Sequence, residues 1–164
     1  MYYNSERPKK EKKYAKEEAK LKAADFCAYQ ERSQQEVRDK LYDYGLHQED
    51  VEEVISLLIT EGFVNEERFA RAYIRGKFRL KKWGKIKIAN GLIPHKISDY
   101  CLKKGWEEID EEEYHQVLIN LIDKKNSSLK ETSLLIKKRK IAQYAIQKGF
   151  EPSLVWDYIR NLKL

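Results

Sequence analysis

The feature that most constrains this chain is an internal repeat. The apolar spacing Leu46, Val51, Ile55, Leu58 recurs as Ile97, Leu102, Trp106, Ile109, and again as Phe150, Val155, Ile159, Leu162. The offset is a constant 51 residues for the first step and a constant 53 for the second. The helices before these keep the same register, since Val37, Ile88 and Ile141 correspond, as do Leu41, Leu92 and Ala145. The turns correspond too: Tyr44-Gly45-Leu46, His95-Lys96-Ile97 and Lys148-Gly149-Phe150. Any two amphipathic helices can be slid into register at a position or two. A match across two helices and a turn, three times over, needs a repeated unit. Each unit reads as three helices and is too small to be very stable alone, so stacked neighbours must share a buried face. The expected fold class is all-α: three tandem three-helix repeats forming an elongated, curved, solenoid-like body. The expected domains are a flexible basic tail over 1–16, then repeats over 17–62, 63–109 (basic) and 110–164.

Local signals support helices. Lys, Glu, Leu, Ile and Ala dominate, with only 7 Gly and 3 Pro. Ser33 followed by Glu36 is a capping-box pattern. Asn65 can cap a helix running to about Lys82, and Gly45, Gly62 and Gly149 stop helices. Pro152 suits a first helical turn. The spacing predicts buried stripes of Leu21, Ala24, Cys27 and Ala28 in the first helix, and of Phe69, Tyr73, Leu80 and Trp83 in the fourth. Tyr114, Leu118, Leu121 and Ile122 form the stripe of a helix over 111–125. Ser127–Ser128 is read as a loop, with a helix from Leu129 to Lys148 after it.

Charge then picks out one stretch. Between Arg68 and Ser98 there are ten Lys/Arg and no Asp or Glu, with the acidic segments QEDVEEVI before and WEEIDEEEY after. Arg68, Arg71, Arg75, Arg79 and Lys82 have spacings that line up one side of a helix. Like charges so close repel, and a counter-charge on a partner would relieve the cost. Lys77, Lys81, Lys85 and Lys87 extend the block, and Lys137, Lys138, Arg139 and Lys140 form a second cluster at the corresponding place in the third unit. These thirteen residues are the candidate binding surface for nucleic-acid phosphate or an acidic protein. Tyr73 and Trp83 are expected in the core, and Phe78, off their row, is the more open candidate for base stacking.

Other function classes find little support. There is no GxGxxG, GxxxxGK[ST], HExxH or CxxC, so neither an enzyme nor a cofactor is expected. His47, His95 and His115 lie on unrelated elements and imply no metal site. Two distant cysteines, Cys27 and Cys101, fit a reduced environment. With no apolar run of membrane-spanning length, the expectation is a cytoplasmic protein. The net charge of +6 suits either a soluble surface or a polyanionic partner.

The segment GFVNEERFARAYIRGKFRLKKWG resembles the most recognisable block of the RecX regulatory proteins. KKRKIAQYAIQKGFEPSLVWDYI looks like that family's C-terminal repeat, and SQQEVRDKLYDYG with VEEVISLLITEG is similar to its opening one. The resemblance implies a monomeric, non-enzymatic regulator of the RecA filament and its single-stranded DNA, restraining recombinase, ATPase and co-protease activity. It thereby implies a place in DNA repair, homologous recombination and the SOS response. Asn90, Gly91 and Pro94 stand where the family usually has a longer, charged helical segment, so a short second helix is expected in the middle unit. A basic helical DNA-binding module without a RecA partner, and a scaffold for acidic proteins, remain open on the residues alone.

Overall fold

The computed structural model describes residues 14–162. Among them are nine α-helices, one 3₁₀ turn and no strand. The helices are α1 (Lys16–Tyr29), α2 (Gln34–Asp43), α3 (Gln48–Thr60), α4 (Glu66–Arg79), α5 (Lys85–Leu92), α6 (Asp99–Trp106), α7 (Glu111–Ser128), α8 (Leu134–Gln147) and α9 (Pro152–Arg160). The 3₁₀ turn Ile93–His95 follows α5. Most of the expected tail, residues 1–13, lies outside the described residues. Its last part does not behave as a tail: Tyr14 meets Tyr44 edge-on at 5.4 Å between ring centroids, and α1 already begins at Lys16.

The chain divides into two compact units, 1–69 and 70–164. In the first, α1, α2 and α3 pack on one another around Val37, Leu41, Leu46, Val51, Val54, Ile55, Leu58 and Val64. The buried row of α1 is Ala19, Ala23 and Cys27, whereas Leu21 is 68% exposed. This corrects the expected stripe. A row of small side chains lets α1 come close to its neighbours, and Leu21, two positions from Ala19, is turned about 200° away. Burial pushes the Cys27 thiol up to about 11, which leaves it unreactive at neutral pH. The capping box forms as expected: Ser33 Oγ accepts from the Glu36 amide at 3.1 Å, and the Ser33 amide donates to the Glu36 carboxylate at 2.8 Å.

In the second unit the core joins Ala70, Ile74, Phe78, Ile88, Leu92, Tyr114, Leu118, Ile122, Ile141, Ala145, Phe150, Val155 and Ile159. Tyr114 is its hub. Its ring lies 5.8 Å from Phe78 and 5.0 Å from Phe150. Its hydroxyl accepts from the Lys85 amide at 3.0 Å and donates to Glu151 at 2.6 Å. Burial, then the Glu151 carboxylate, hold that phenol far above its usual range, so it stays a neutral donor.

Two helix ends meet beside this hub. The Gly84 amide donates to the Lys148 carbonyl at 2.8 Å, and the Ile86 amide to the Gly149 carbonyl at 3.0 Å. The free amides at the start of α5 thus satisfy the free carbonyls at the end of α8, positive dipole end against negative. The approach is so close that a Cβ on Gly84 would sit 2.3 Å from the Gly149 carbonyl carbon.

The middle repeat departs from its neighbours. Gly45 and Gly149 turn at φ 89° and 98°, but Lys96 takes the equivalent left-handed position at φ 52°. Pro94 ends α5 at Leu92, and α5 is only 8 residues long. Gly91 stands inside it where a Cβ would lie 2.3 Å from the Tyr73 hydroxyl, so a larger residue there would displace that ring. The register positions Ile97, Leu102 and Trp106 are only half-buried and, with Ala89, Leu92 and Ile93, line an apolar cleft of about 260 Å³. Further on, α7 continues through Ser127 and Ser128, against the expected loop. Their hydroxyls donate to the Asp123 and Lys125 carbonyls, which keeps both serines in the helix.

Candidate nucleic-acid interface

The fourth helix starts where its sequence says it should, with Asn65 Oδ1 accepting from the Arg68 amide at 2.8 Å. Its buried row is Phe69, Ala70, Ile74 and Phe78. Phe78 is 0% exposed and Leu80 is 83% exposed, the reverse of the expectation that Leu80 packs and Phe78 is open. Positions 70, 74 and 78 recur every four residues; Ala70 and Ile74 face Gly105, whose missing side chain makes room for Ile74, and Phe78 meets the Tyr114 ring. Phe78 therefore cannot stack on a base. Tyr73 and Trp83, assigned to the core on spacing, are half-buried instead.

The arginine row of α4 meets carboxylates of the same chain. Arg68 pairs with Glu31 and also donates to the Gly62 carbonyl at 2.9 Å, both in the first unit. Arg71 reaches Glu107 and Glu108, each at 3.1 Å, and Arg75 reaches Glu108 at 3.3 Å. Arg79 lies 3.8 Å from Glu113, and Lys85 pairs with Glu111. The acidic segment WEEIDEEEY is thus the counter-charge that the repelling cations needed. Hydrogen bonds from Lys104 and then Arg71 hold the Glu107 carboxyl below its ordinary value.

The lysines of the same stretch are placed differently. Lys77, Lys81, Lys82 and Lys87 have no carboxylate within ion-pair distance among the described residues. The Lys77 ammonium lies 5.2 Å from the Tyr73 ring centroid and 4.9 Å from that of Trp83. The Lys87 ammonium lies 4.5 Å from the Trp83 centroid. α4 does not run on to Lys82. It ends at Arg79, and Lys82 takes φ 56°. The Lys82 amide donates to the Phe78 carbonyl at 3.0 Å, the single bond of an αL helix cap, and the Trp83 amide donates to the Lys77 carbonyl at 3.1 Å. A non-glycine residue in that conformation costs on the order of 1 kcal/mol.

In the third repeat, Lys137, Lys138 and Arg139 also lack a carboxylate partner among the described residues, while Lys140 pairs with Glu131. Sequence reasoning missed two neighbours of Lys140. Lys125 and Tyr144 line a cleft of about 230 Å³ with it, and the Lys125 ammonium lies 4.9 Å from the Tyr144 ring. The signal was weak: one lysine at a helix end and one tyrosine among 11. Of the histidines, His115 shares a 2.7 Å hydrogen bond with Tyr158, and His95 stands 5.5 Å from the Tyr73 ring. No group of three or more His, Cys, Asp or Glu is placed to hold a metal among the described residues. No helix among them is long and apolar enough to cross a membrane.

Three family models match the chain in order: "RecX, first three-helix domain" over residues 19–58, "RecX, second three-helix domain" over 65–104 and "RecX, third three-helix domain" over 111–159. The "Regulatory protein RecX" of Clostridium acetobutylicum is 30% identical over 148 residues, covering 88% of this chain and 68% of that protein. That of Bacillus mycoides is 26% identical over 147 residues, covering 90% of this chain. The chain spans 54% of that relative's length, and the same share of the Bacillus cereus proteins it matches. Among solved structures, RecX from Lactobacillus salivarius aligns with a TM-score of 0.78 at 24% identity, over 88% of this chain and 94% of that one. A second, "regulatory protein RecX", aligns at 0.79 and 20% identity, over 90% of this chain and 73% of that one. At these identities the two structures speak for the fold.

Proposed function

The chain belongs to the RecX family of regulatory proteins, and from that membership we propose that it binds the RecA filament on DNA and restrains its recombinase, ATPase and co-protease activities. The observation that carries this reading is the match to all three RecX domains, in order and without a missing unit. The proposed interface is the set of cations left without carboxylates: Lys77, Lys81, Lys82 and Lys87 in the second repeat, and Lys137, Lys138 and Arg139 in the third. Their ammonium and guanidinium groups are available for phosphate oxygens or for acidic RecA side chains. In this reading the protein acts as a monomer in the cytoplasm, without cofactor or catalysis of its own. The test is RecA-driven ATP hydrolysis on single-stranded DNA with the protein added. Inhibition that saturates is expected, and none at saturating protein would overturn the reading.

A second reading, a DNA-binding module that needs no RecA, draws on the same unpaired cations. A titration against bare and RecA-coated single-stranded DNA separates the two. Preference for the coated strand supports the regulator. Equal, strongly salt-dependent binding to both supports the module.

A further inference from the structure

We propose that Trp83, flanked by Lys77, Lys82 and Lys87, is a stacking platform for a base of single-stranded nucleic acid. The proposal rests on the nucleic-acid half of the reading above and gives it a site and a mode of contact.

Three observations converge on this spot. The first is charge. Lys77 and Lys87 rest their ammonium groups against the indole, at 4.9 and 4.5 Å from its centroid, with no carboxylate in ion-pair reach among the described residues. A cation–π contact at a half-exposed site is weak. A phosphate can draw both flexible lysines away and leave the ring to a base, whose neutral π face suits an indole.

The second is the turn. The αL cap at Lys82 and the bond from the Trp83 amide to the Lys77 carbonyl bring Trp83 back beside Lys77. Glycine adopts that backbone without strain, and the chain uses glycine at Gly45, Gly62 and Gly149, whereas Lys82 and Lys96 are the two non-glycine residues in it among the described residues. At this turn it keeps a lysine next to the indole. Backbone strain retained at such a point is a pointer to function, argued from the outlier itself.

The third is the floor. A Cβ on Gly91 would come within 2.3 Å of the Tyr73 hydroxyl and 3.7 Å of the Trp83 ring. The bare glycine lets both rings settle against α5, so Trp83 is supported on one part and open on the rest.

The ligand class follows from the pairing of indole with cations. In a duplex the base faces are already stacked. An acidic peptide would use the ammonium groups and leave the indole idle.

The test uses the full chain without RecA and two labelled probes, an oligothymidylate and an abasic deoxyribose-phosphate strand of equal length, read by fluorescence anisotropy. Trp83→Ala is expected to weaken oligothymidylate binding about tenfold and to leave the abasic strand unchanged, with Trp83→Phe between Ala and wild type. Lys82→Gly relieves the backbone and should keep or raise the melting temperature, yet weaken both strands several-fold. If Trp83→Ala is misfolded by circular dichroism, Lys82→Gly and Lys77→Glu/Lys87→Glu decide the matter. Unchanged oligothymidylate affinity in the folded variants overturns the platform, as does a wild-type protein that ignores both strands. A protein that fails to inhibit RecA but shows the Trp83 effect loses the regulatory reading and keeps the platform.

Discussion

Arg71, Arg75 and Arg79 each end on a glutamate of the 107–113 segment, whereas Lys77, Lys81, Lys82 and Lys87 end on an aromatic ring or in solvent. Both groups come from one stretch of about 20 residues and carry the same charge. The difference lies in the partner each side of the chain meets. The arginines have planar, many-donor heads suited to bridging carboxylates, and Arg71 holds two at once. The lysines are point charges on flexible stems, suited to phosphates that come and go. One group is taken up by contacts within the chain, and the other is the one we propose meets a ligand.

The division can be broken in three ways. The largest effect concerns the row beneath the charges. Phe78→Ala should destabilise the protein by about 3–5 kcal/mol, while Leu80→Ala costs nearly nothing, measured by chemical denaturation. Equal effects would return Phe78 to the surface and undo the geometry of both groups. The next concerns the cations. Replacing Lys77, Lys81, Lys82 and Lys87 together by Ala should leave the melting temperature unchanged and flatten the salt dependence of single-strand binding by about 3 log–log units. Arg71→Ala with Arg75→Ala should do the opposite, lowering stability by about 1 kcal/mol with little change in that slope. If the arginine pair flattens the slope instead, the glutamates are displaced on binding and the two groups act as one.

The smallest effect is on pH dependence. Hydrogen bonds hold Glu107 and, through Arg38, Glu52 below the ordinary value of 4.5. A depressed carboxylate contributes stability above its unfolded pKa and loses it as pH falls through the folded value. Thermal stability should therefore decline gently below about pH 5. Both carboxylates are exposed, so high salt should shrink the change.

Much of this arrangement was legible in the residues. The repeat register gave the three-helix units, and Ser33, Asn65 and the three helix-stopping glycines marked real ends. The errors share a cause. Phe69, Tyr73, Leu80, Trp83 and Ala70, Ile74, Phe78 are both good helical rows, and the residues that meet the second row, Gly105 against Ile74 and Tyr114 against Phe78, lie far along the chain. The clasp of the arginines depends on glutamates more than 30 residues away, which periodicity cannot see. Ser127 and Ser128 looked like a loop because their intrinsic preference is for turns. Their hydroxyls found helix carbonyls instead.

The joint between Gly84 and Gly149 bears on how such a chain can change over generations. In the first repeat, α2 carries its own cap in Ser33. At the equivalent place α5 has Gly84 and borrows its cap from carbonyls at the end of α8. A repeat that holds its own cap can be copied or exchanged as a unit. The second and third repeats here cannot, because each holds half of a contact that works only with the other. A variant at either glycine has no local remedy, and the two halves must be inherited together.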